Sequence, residues 1–198
     1  MAQSVLLCCA KRFELPMDFP YPLEEVGVGL FNSLFRLQEV MAEQKPQAVV
    51  LLGTGGLLSS TATMEILPGQ PFLCCQFTLP PYRHEVLLEH IPSHYRTDGF
   101  SPLDRFCRDE YFVYSSFGIS TQKDAFVLPP HGVFFVENLE ALGLAAFCSQ
   151  RGIPFYALLS VTNELGPHAR KQWEKNHIKA GELLAQWWLA ISSSLEVA

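Results

Sequence analysis

The stretch from Leu30 to Gly56 constrains the fold of this chain more tightly than any other. Leu30, Leu34, Leu37, Val40 and Met41 recur at three- and four-residue spacing, which predicts a helix with one buried stripe. It closes near Lys45-Pro46, because the position before a proline is pushed out of the helical region. A continuous apolar strand, Ala48 to Leu52, follows at once and ends in Gly53-Thr54-Gly55-Gly56. Glycines at the carboxyl end of a strand let backbone N–H groups approach a ligand, and such edges are where open α/β sheets bind.

The rest of the chain repeats the alternation. Val5 to Cys9 reads as an opening strand and Phe72 to Phe77 as another. Gly132 to Val136 reads as a buried strand running into Glu137-Asn138, after which Leu139, Leu142 and Ala146 mark a helix capped by Asn138 and stopped by Gly152. Phe155 to Val161 predicts a strand ending in Thr162-Asn163-Glu164, and the last helix carries Ile178, Leu184, Trp187, Trp188 and Ile191 as its apolar side. Between Pro80 and Arg108, Pro, His and charge break every pattern. Short β-rich runs alternating with helical periods indicate an α/β layer architecture. With 198 residues and neither repeat nor linker, a single domain over 1–198 is the expectation.

Composition narrows the function classes. A formal net charge of −6 opposes attraction to a phosphate backbone, so nucleic acid is not an expected partner. The longest apolar runs, such as Ala48 to Leu52 and Gly132 to Val136, fall far short of the about 20 residues of a membrane-spanning helix. Met1 to Ala10 has no basic start and only a short apolar run, and so reads as a strand rather than a secretory leader. Cys8-Cys9 and Cys74-Cys75 are adjacent pairs inside apolar runs, and neighbours on a strand point to opposite faces instead of converging on one ligand. Reduced core cysteines in a cytoplasmic protein are therefore expected. His84, His90 and His94 have no Cys or carboxylate cluster to complete a metal set, and His131 reads as a loop residue. Neither a metal nor a cofactor is expected.

Four polar features stand at strand ends: Glu14, Gly53 to Gly56, Glu137 to Glu140, and Thr162-Asn163. Two carboxylates facing one cleft suit a reaction that develops positive charge on a sugar, because one can activate water while the other binds hydroxyls. An acidic residue at a strand-to-helix junction equally serves as a cap or a solvated charge. Spacing alone leaves both readings open.

A succession of segments goes further. It consists of Ala10-Lys11-Arg12-Phe13-Glu14, then Gly27-Val28-Gly29 with Asn32, and the helix to Lys45-Pro46 leading into the strand that ends at Gly53-Thr54-Gly55-Gly56. Lys123-Asp124-Ala125-Phe126-Val127, Val136-Glu137-Asn138-Leu139-Glu140-Ala141, and Gly152-Ile153-Pro154-Phe155 through Ser160-Val161-Thr162-Asn163 complete it. In this order the chain resembles the nucleoside phosphorylase superfamily, and within it the hydrolytic branch of methylthioadenosine/adenosylhomocysteine nucleosidases and futalosine hydrolases. The resemblance implies a three-layer αβα fold around a central mixed, twisted sheet. It also implies cleavage of a purine N-glycosidic bond through an oxocarbenium-like transition state, without metal or cofactor.

Residue by residue, the resemblance gives Glu14 the nucleophilic water and Glu140 the ribose 2′- and 3′-hydroxyls, with Leu139 packed on the sugar. Gly53, Thr54 and Gly55 form the glycine turn of the site. Phe126 takes the place of the aromatic that stacks on the base, with Val127 as its neighbour, and Thr162 and Asn163 stand beside the purine. Family members are commonly homodimers or larger rings, in which a neighbouring subunit often completes the 5′ side, and the resemblance implies a homodimer as the expected assembly.

The chain departs from the family at particular points. Only 12 residues separate Glu14 from Gly27, and the connection from Phe126 to Val136 is also short. Asn163 stands where adenine-specific members carry Asp, and an amide cannot act as an acid. It offers a donor for an exocyclic carbonyl and an acceptor for a protonated ring nitrogen, which suits a 6-oxopurine nucleoside such as inosine or futalosine. Asn163 as a plain turn cap before Gly166-Pro167 is the competing reading. Related phosphorylases surround phosphate with arginines, one beside the glycine turn, and Gly53 to Gly56 has none. Water is therefore the expected nucleophile, with phosphorolysis and a non-catalytic nucleoside-binding member as alternatives. Trp173, Trp187 and Trp188 read as packing residues of the last helix.

Overall fold

The computed structural model describes residues 5–58, 71–80, 94–116, 118, 120–122 and 126–195. In chain order the elements are β1 (Val5–Cys9), a 3-10 turn (Arg12–Glu14), β2 (Glu24–Glu25), α1 (Leu30–Glu43), β3 (Ala48–Leu58), β4 (Pro71–Cys74) and β5 (Gln76–Thr78). They continue with β6 (His94–Arg96), α2 (Ser101–Asp104), β7 (Tyr111–Tyr114), β8 (Phe134–Glu137), α3 (Ala141–Ser149), β9 (Phe155–Glu164) and α4 (Ala169–Leu195).

Among the described residues one mixed sheet of 9 strands forms around β3. A strand has two hydrogen-bonding edges, and β9 occupies one edge of β3 in parallel from Val49↔Phe155 to Leu57↔Glu164. The other edge is shared. β1 pairs in parallel from Val5↔Ala48 to Cys9↔Leu52, and β8 arrives antiparallel to cover Gly56↔Glu137 through Leu58↔Phe135. Gly53-Thr54-Gly55 lies between these two partners, and among the described residues no strand pairs with it on that edge. From β8 the sheet continues through β7 to β5, while β4, one residue before β5, pairs with β9. These pairings curl the sheet back on itself.

Both faces of the sheet are buried. Leu6, Cys8, Val49, Leu51, Ala157 and Leu159 meet Leu37 and Val40 of α1 and Leu144 and Cys148 of α3 on one side. Leu7, Cys9, Val50, Leu52, Tyr156 and Leu158 meet Leu184, Trp188 and Ile191 of α4 on the other. The result is the three-layer αβα arrangement with a mixed sheet. Each fully buried Val or Leu of β3 is worth about 1.5–3 kcal/mol of transfer free energy. Adjacent cysteines part as strand geometry requires, with Cys8 and Cys74 in one core, Cys9 and Cys75 in the other, and all six as free thiols. Among the described residues no helix is long and apolar enough to cross a membrane.

Several expectations shift. β3 does not stop at Leu52 but runs through the glycines to Leu58, because β9 and β8 supply backbone partners where the side chains give no pattern. The strand expected over Phe72 to Phe77 breaks at Cys75, where the Cys75 carbonyl accepts Thr97 N–H at 2.9 Å, and becomes β4 and β5. Ile178 is 67% exposed and belongs to the outer side of α4, whereas Leu184, Trp188 and Ile191 are buried. His84 and His90 fall outside the described residues, and His94 is exposed on β6. Among the described residues no group of three or more His, Cys, Asp or Glu is placed to hold a metal ion.

Candidate active site at the split edge of β3

Parallel pairing sends the N–H and C=O of alternate residues to opposite edges, so Gly53 and Gly55 face β9 while Thr54 faces the gap. The Thr54 N–H favours the ionised form of the Glu14 carboxylate beside it, and the Thr54 carbonyl accepts Asn138 Nδ2 at 3.1 Å. Side chains from the carboxyl ends of β1 and β8 thus replace the missing strand.

Glu14 reaches the gap because β1 ends in a tight turn, with Glu14 N–H donated to the Lys11 carbonyl at 3.0 Å and Leu15 N–H to that of Arg12 at 3.2 Å. Gly53 leaves room for it. A Cβ there would stand 3.7 Å from Glu14 Oε2 and 3.6 Å from Asn138 Nδ2. Gly55 is required for a different reason, since a Cβ would collide with Val136 Cγ1 and come within 3.0 Å of the Glu137 carbonyl. Arg12 is absorbed by the turn and donates to the carbonyls of Pro16 and Met17.

Glu140 stands across the gap. Asn138 Oδ1 accepts the N–H groups of Glu140 at 3.1 Å and Ala141 at 2.9 Å, and so caps α3 from just outside it. Glu140 Oε1 accepts the N–H of Gly29 at 2.8 Å. Gly29 precedes α1 with φ +86, a conformation that favours glycine, which explains the second glycine of Gly27-Val28-Gly29.

Glu14 is 8% and Glu140 4% exposed. Burial, then the neighbouring Glu140, pushes the Glu14 carboxyl up to about 8, against the opposing effect of the Thr54 and Lys11 N–H groups. Burial pushes Glu140 up to about 7, moderated by the Gly29 N–H. A third buried carboxylate, Glu137, is fully engaged elsewhere. It accepts Ser116 Oγ at 2.7 Å, Ser120 N–H at 3.0 Å and Ser120 Oγ, tying that loop to the end of β8.

These groups line a cleft of about 300 Å³ that also includes Thr54, Gly55, Gly56, Leu139 and Asn163. Asn163 is brought to the rim by a bulge, since Gly55 pairs with Val161 and Gly56 with Asn163. Its Oδ1 accepts Thr162 Oγ1 at 3.0 Å and its Nδ2 donates to the Glu164 carbonyl at 3.2 Å. Gly56 is the space it needs, since a Cβ there would lie 2.7 Å from Asn163 Nδ2.

Of the residues singled out in the sequence, Glu14, Thr54, Gly55, Leu139, Glu140 and Asn163 come together, and Gly53 lies directly behind Glu14. Three do not join them. Phe126 is 2% exposed and packs with Leu58, Tyr114 and Leu165, so its ring faces a small core and not the cleft. Val127 is exposed and does not line the cleft. Thr162 is buried behind the bulge and donates to the Gly55 carbonyl at 3.4 Å. Lys123, Asp124 and Ala125 lie outside the described residues.

The sequence reading missed the far wall. Phe13, Val28, Arg170 and Trp173 line the cleft, and Trp173 Nε1 donates to Thr54 Oγ1 at 3.1 Å. Trp173 lies ten positions after Asn163 near the start of α4. Only the docking of that helix on the sheet reveals that this turn looks inward. The cations at the rim are paired, Lys11 with Glu25 at 2.6 Å and Arg170 with Glu174 at 2.8 Å.

No family model matches the chain, and no curated protein matches it. Solved structures do. A Helicobacter pylori 5′-methylthioadenosine/S-adenosylhomocysteine nucleosidase mutant with 5′-methylthioadenosine in its active site superposes with TM-score 0.76 at 13% identity, over 98% of this chain and 99% of that one. The Streptococcus pneumoniae nucleosidase of the same name, with a transition-state inhibitor, gives 0.75 at 13% over 96% and 99%. Futalosine hydrolase of Helicobacter pylori gives 0.73 at 13% over 99% and 98%. The chain therefore has the fold of these nucleosidases over nearly its whole length.

Proposed function

We propose that this protein hydrolyses the N-glycosidic bond of a purine nucleoside, with a 6-oxopurine as the leaving base. The observation that supports it above others is the pair of buried carboxyls, Glu14 and Glu140, lining one cleft at the stretch of the β3 edge that lies between β1 and β8. This fits a reaction in which the sugar becomes cationic, because anionic groups in a poorly hydrated cleft gain attraction as that charge develops.

In this reading the ionised Glu14 accepts a proton from water as the water oxygen bonds to the anomeric carbon. The bond from that carbon to the purine ring nitrogen breaks, its electron pair leaves with the base, the base takes a proton from solvent water to give free purine, and Glu14 returns the proton it accepted to solvent, leaving free sugar. Glu140 accepts hydrogen bonds from the ribose hydroxyls, held in place by the Gly29 N–H. Leu139 packs on the sugar, and the Asn163 amide pairs with the 6-oxo edge of the base. Water suits the nucleophile's place better than phosphate, since both cations lining the cleft are already bound to carboxylates.

The test is release of free base from inosine, futalosine, methylthioadenosine and adenosylhomocysteine, each with and without phosphate. Phosphate-independent release of hypoxanthine is the expected outcome for a 6-oxopurine nucleoside. Strict phosphate dependence would assign a phosphorylase instead, and preference for the adenine nucleosides would overturn the role given to Asn163.

A further inference from the structure

Thr54 joins three parts of the molecule. Its Oγ1 accepts the Trp173 indole N–H, its carbonyl accepts Asn138 Nδ2, and its N–H favours the ionised Glu14 carboxylate beside it. Asn138 in turn holds the backbone N–H of Glu140. A hydrogen-bonded path therefore runs from α4 through one residue of β3 to Asn138 and the main-chain N–H of Glu140, with the Glu14 carboxylate beside that residue's N–H.

The α4 end of this path is itself fixed. The His177 ring stacks on the indole of Trp173 with centroids 4.5 Å apart at 14°, and Phe13 meets its edge at 6.5 Å and 75°. The same turns of α4 are fastened to the end of β9, where Asn176 Nδ2 donates to the Thr162 carbonyl at 2.7 Å and Gln172 Oε1 accepts Glu164 N–H at 2.9 Å. An indole N–H can only donate, so Thr54 Oγ1 must accept from it.

We infer that Trp173 is a positioning residue for the carboxylate pair, holding Thr54 in the gap of β3 so that its backbone groups keep Glu14 and Asn138, and through Asn138 Glu140, in register. This rests on the nucleosidase reading for its catalytic meaning, though not for its geometry. The residue touches neither the reacting atoms nor the carboxylates. It acts through Thr54.

The consequence can be read in how Glu14 titrates. Thr54 N–H favours the ionised carboxylate, so a Thr54 released from Trp173 leaves Glu14 harder to ionise. The charged and titratable groups around Glu14 are Glu140 across the gap, Glu137 at the end of β8, Cys9 of β1, Glu25 on β2, Lys11 and Arg12 on its own turn, and Arg170 at the rim from α4. Replacing Trp173 by Phe changes none of them and preserves an aromatic ring.

The experiment compares Trp173→Phe, Thr54→Val, Thr54→Ser and the Trp173→Phe/Thr54→Val double variant. For each, the melting temperature is followed against pH with and without Glu14→Gln, and the difference gives the Glu14 midpoint without requiring turnover. Trp173→Phe and Thr54→Val are each expected to raise that midpoint by about half a pH unit or more, with the double variant no further displaced and Thr54→Ser at the wild-type midpoint. Under the nucleosidase reading, kcat for Trp173→Phe falls about tenfold while KM changes little. An unmoved midpoint in Trp173→Phe, or displacements that add in the double variant, would overturn the inference. A shifted midpoint in a protein that cleaves no nucleoside would sustain the relay and reject the function. If Trp173→Phe does not fold, Thr54→Val against Thr54→Ser decides in its place: a midpoint raised in the first and not in the second sustains the relay, and equal midpoints overturn it.

Discussion

Gly181 of α4 lies against the main-chain carbonyl of Glu14, so closely that a Cβ built on it would fall inside van der Waals contact with that oxygen. A glycine in the middle of a 27-residue helix costs about 1 kcal/mol relative to alanine. The position is explained by the turn it accommodates: α4 can approach the sheet only if nothing projects between it and the residue that carries the carboxylate.

Gly181→Ala tests that reading. The gain in helix propensity of about 1 kcal/mol is opposed by a backbone clash of about 1–3 kcal/mol, and the clash should win because a carbonyl fixed in a tight turn cannot move aside as a side chain would. A lower melting temperature and a drop in kcat/KM are expected, checked by thermal unfolding and by base release. A melting temperature at or above wild type would show that the turn gives way freely.

Stability should carry the signature of the raised carboxyls. Glu14 and Glu140 titrate near about 8 and about 7 in the folded protein against an ordinary carboxyl value of 4.5, so the folded state holds protons that the unfolded chain has already released. Their contribution to stability is complete below the unfolded pKa and is lost as pH rises through the folded values. Glu14→Gln should therefore melt above wild type by a margin that grows from about pH 5 to about pH 9, by several degrees at the upper end. A margin independent of pH would mean that Glu14 is not held in a raised state.

Gly29→Ala addresses the other carboxylate. At φ +86 an alanine is strained by about 1 kcal/mol or more, and relaxing that strain turns the N–H away from Glu140. KM for the nucleoside should rise by about tenfold if Glu140 has the sugar-binding role proposed for it, because a displaced carboxylate loses hydrogen bonds to the sugar hydroxyls. Steady-state kinetics would show this, and an unchanged KM would separate Gly29 from the sugar site.

Asn163→Asp bears on the base. A carboxyl in place of the amide can protonate a ring nitrogen but no longer offers an N–H donor to a carbonyl. The ratio of kcat/KM for 6-oxo over 6-amino nucleosides should fall by about tenfold or more. If that ratio does not move, Asn163 serves only the bulge that presents it.

Periodicity makes much of this molecule readable from its residues. The stripe from Leu30 to Met41, the proline that ends it and the run from Ala48 to Leu52 appear where their patterns place them. Cys8 and Cys9 fall in separate cores, as alternation on a strand requires. Glu14, Thr54 and Glu140 are legible as polar groups at strand ends, and their spatial meeting is legible only through the resemblance.

What fails to show has definite physical causes. Glycines carry no hydrophobic pattern, so the continuation of β3 to Leu58 depends on β8 and β9, partners distant in sequence. That continuation turns the site from a strand end into a gap along an edge. Phe126 has the same sequence context whether it faces a ligand or a core, and Leu58, Tyr114 and Leu165 decide for the core. Ile178 and Trp173 show the same limit on α4, where the direction of each turn is set by docking against β9.

The most direct measurement is a comparison of Glu14→Gln with the wild type for one nucleoside that the wild type cleaves, with binding by calorimetry and turnover by base release under the same conditions. Binding within about threefold of wild type and turnover lower by about a thousandfold is the predicted result, since the amide keeps the shape of the cleft but cannot take a proton from water. Turnover within about tenfold of wild type would contradict the assignment of water activation to Glu14 and the reading of the gap in β3 as the catalytic centre.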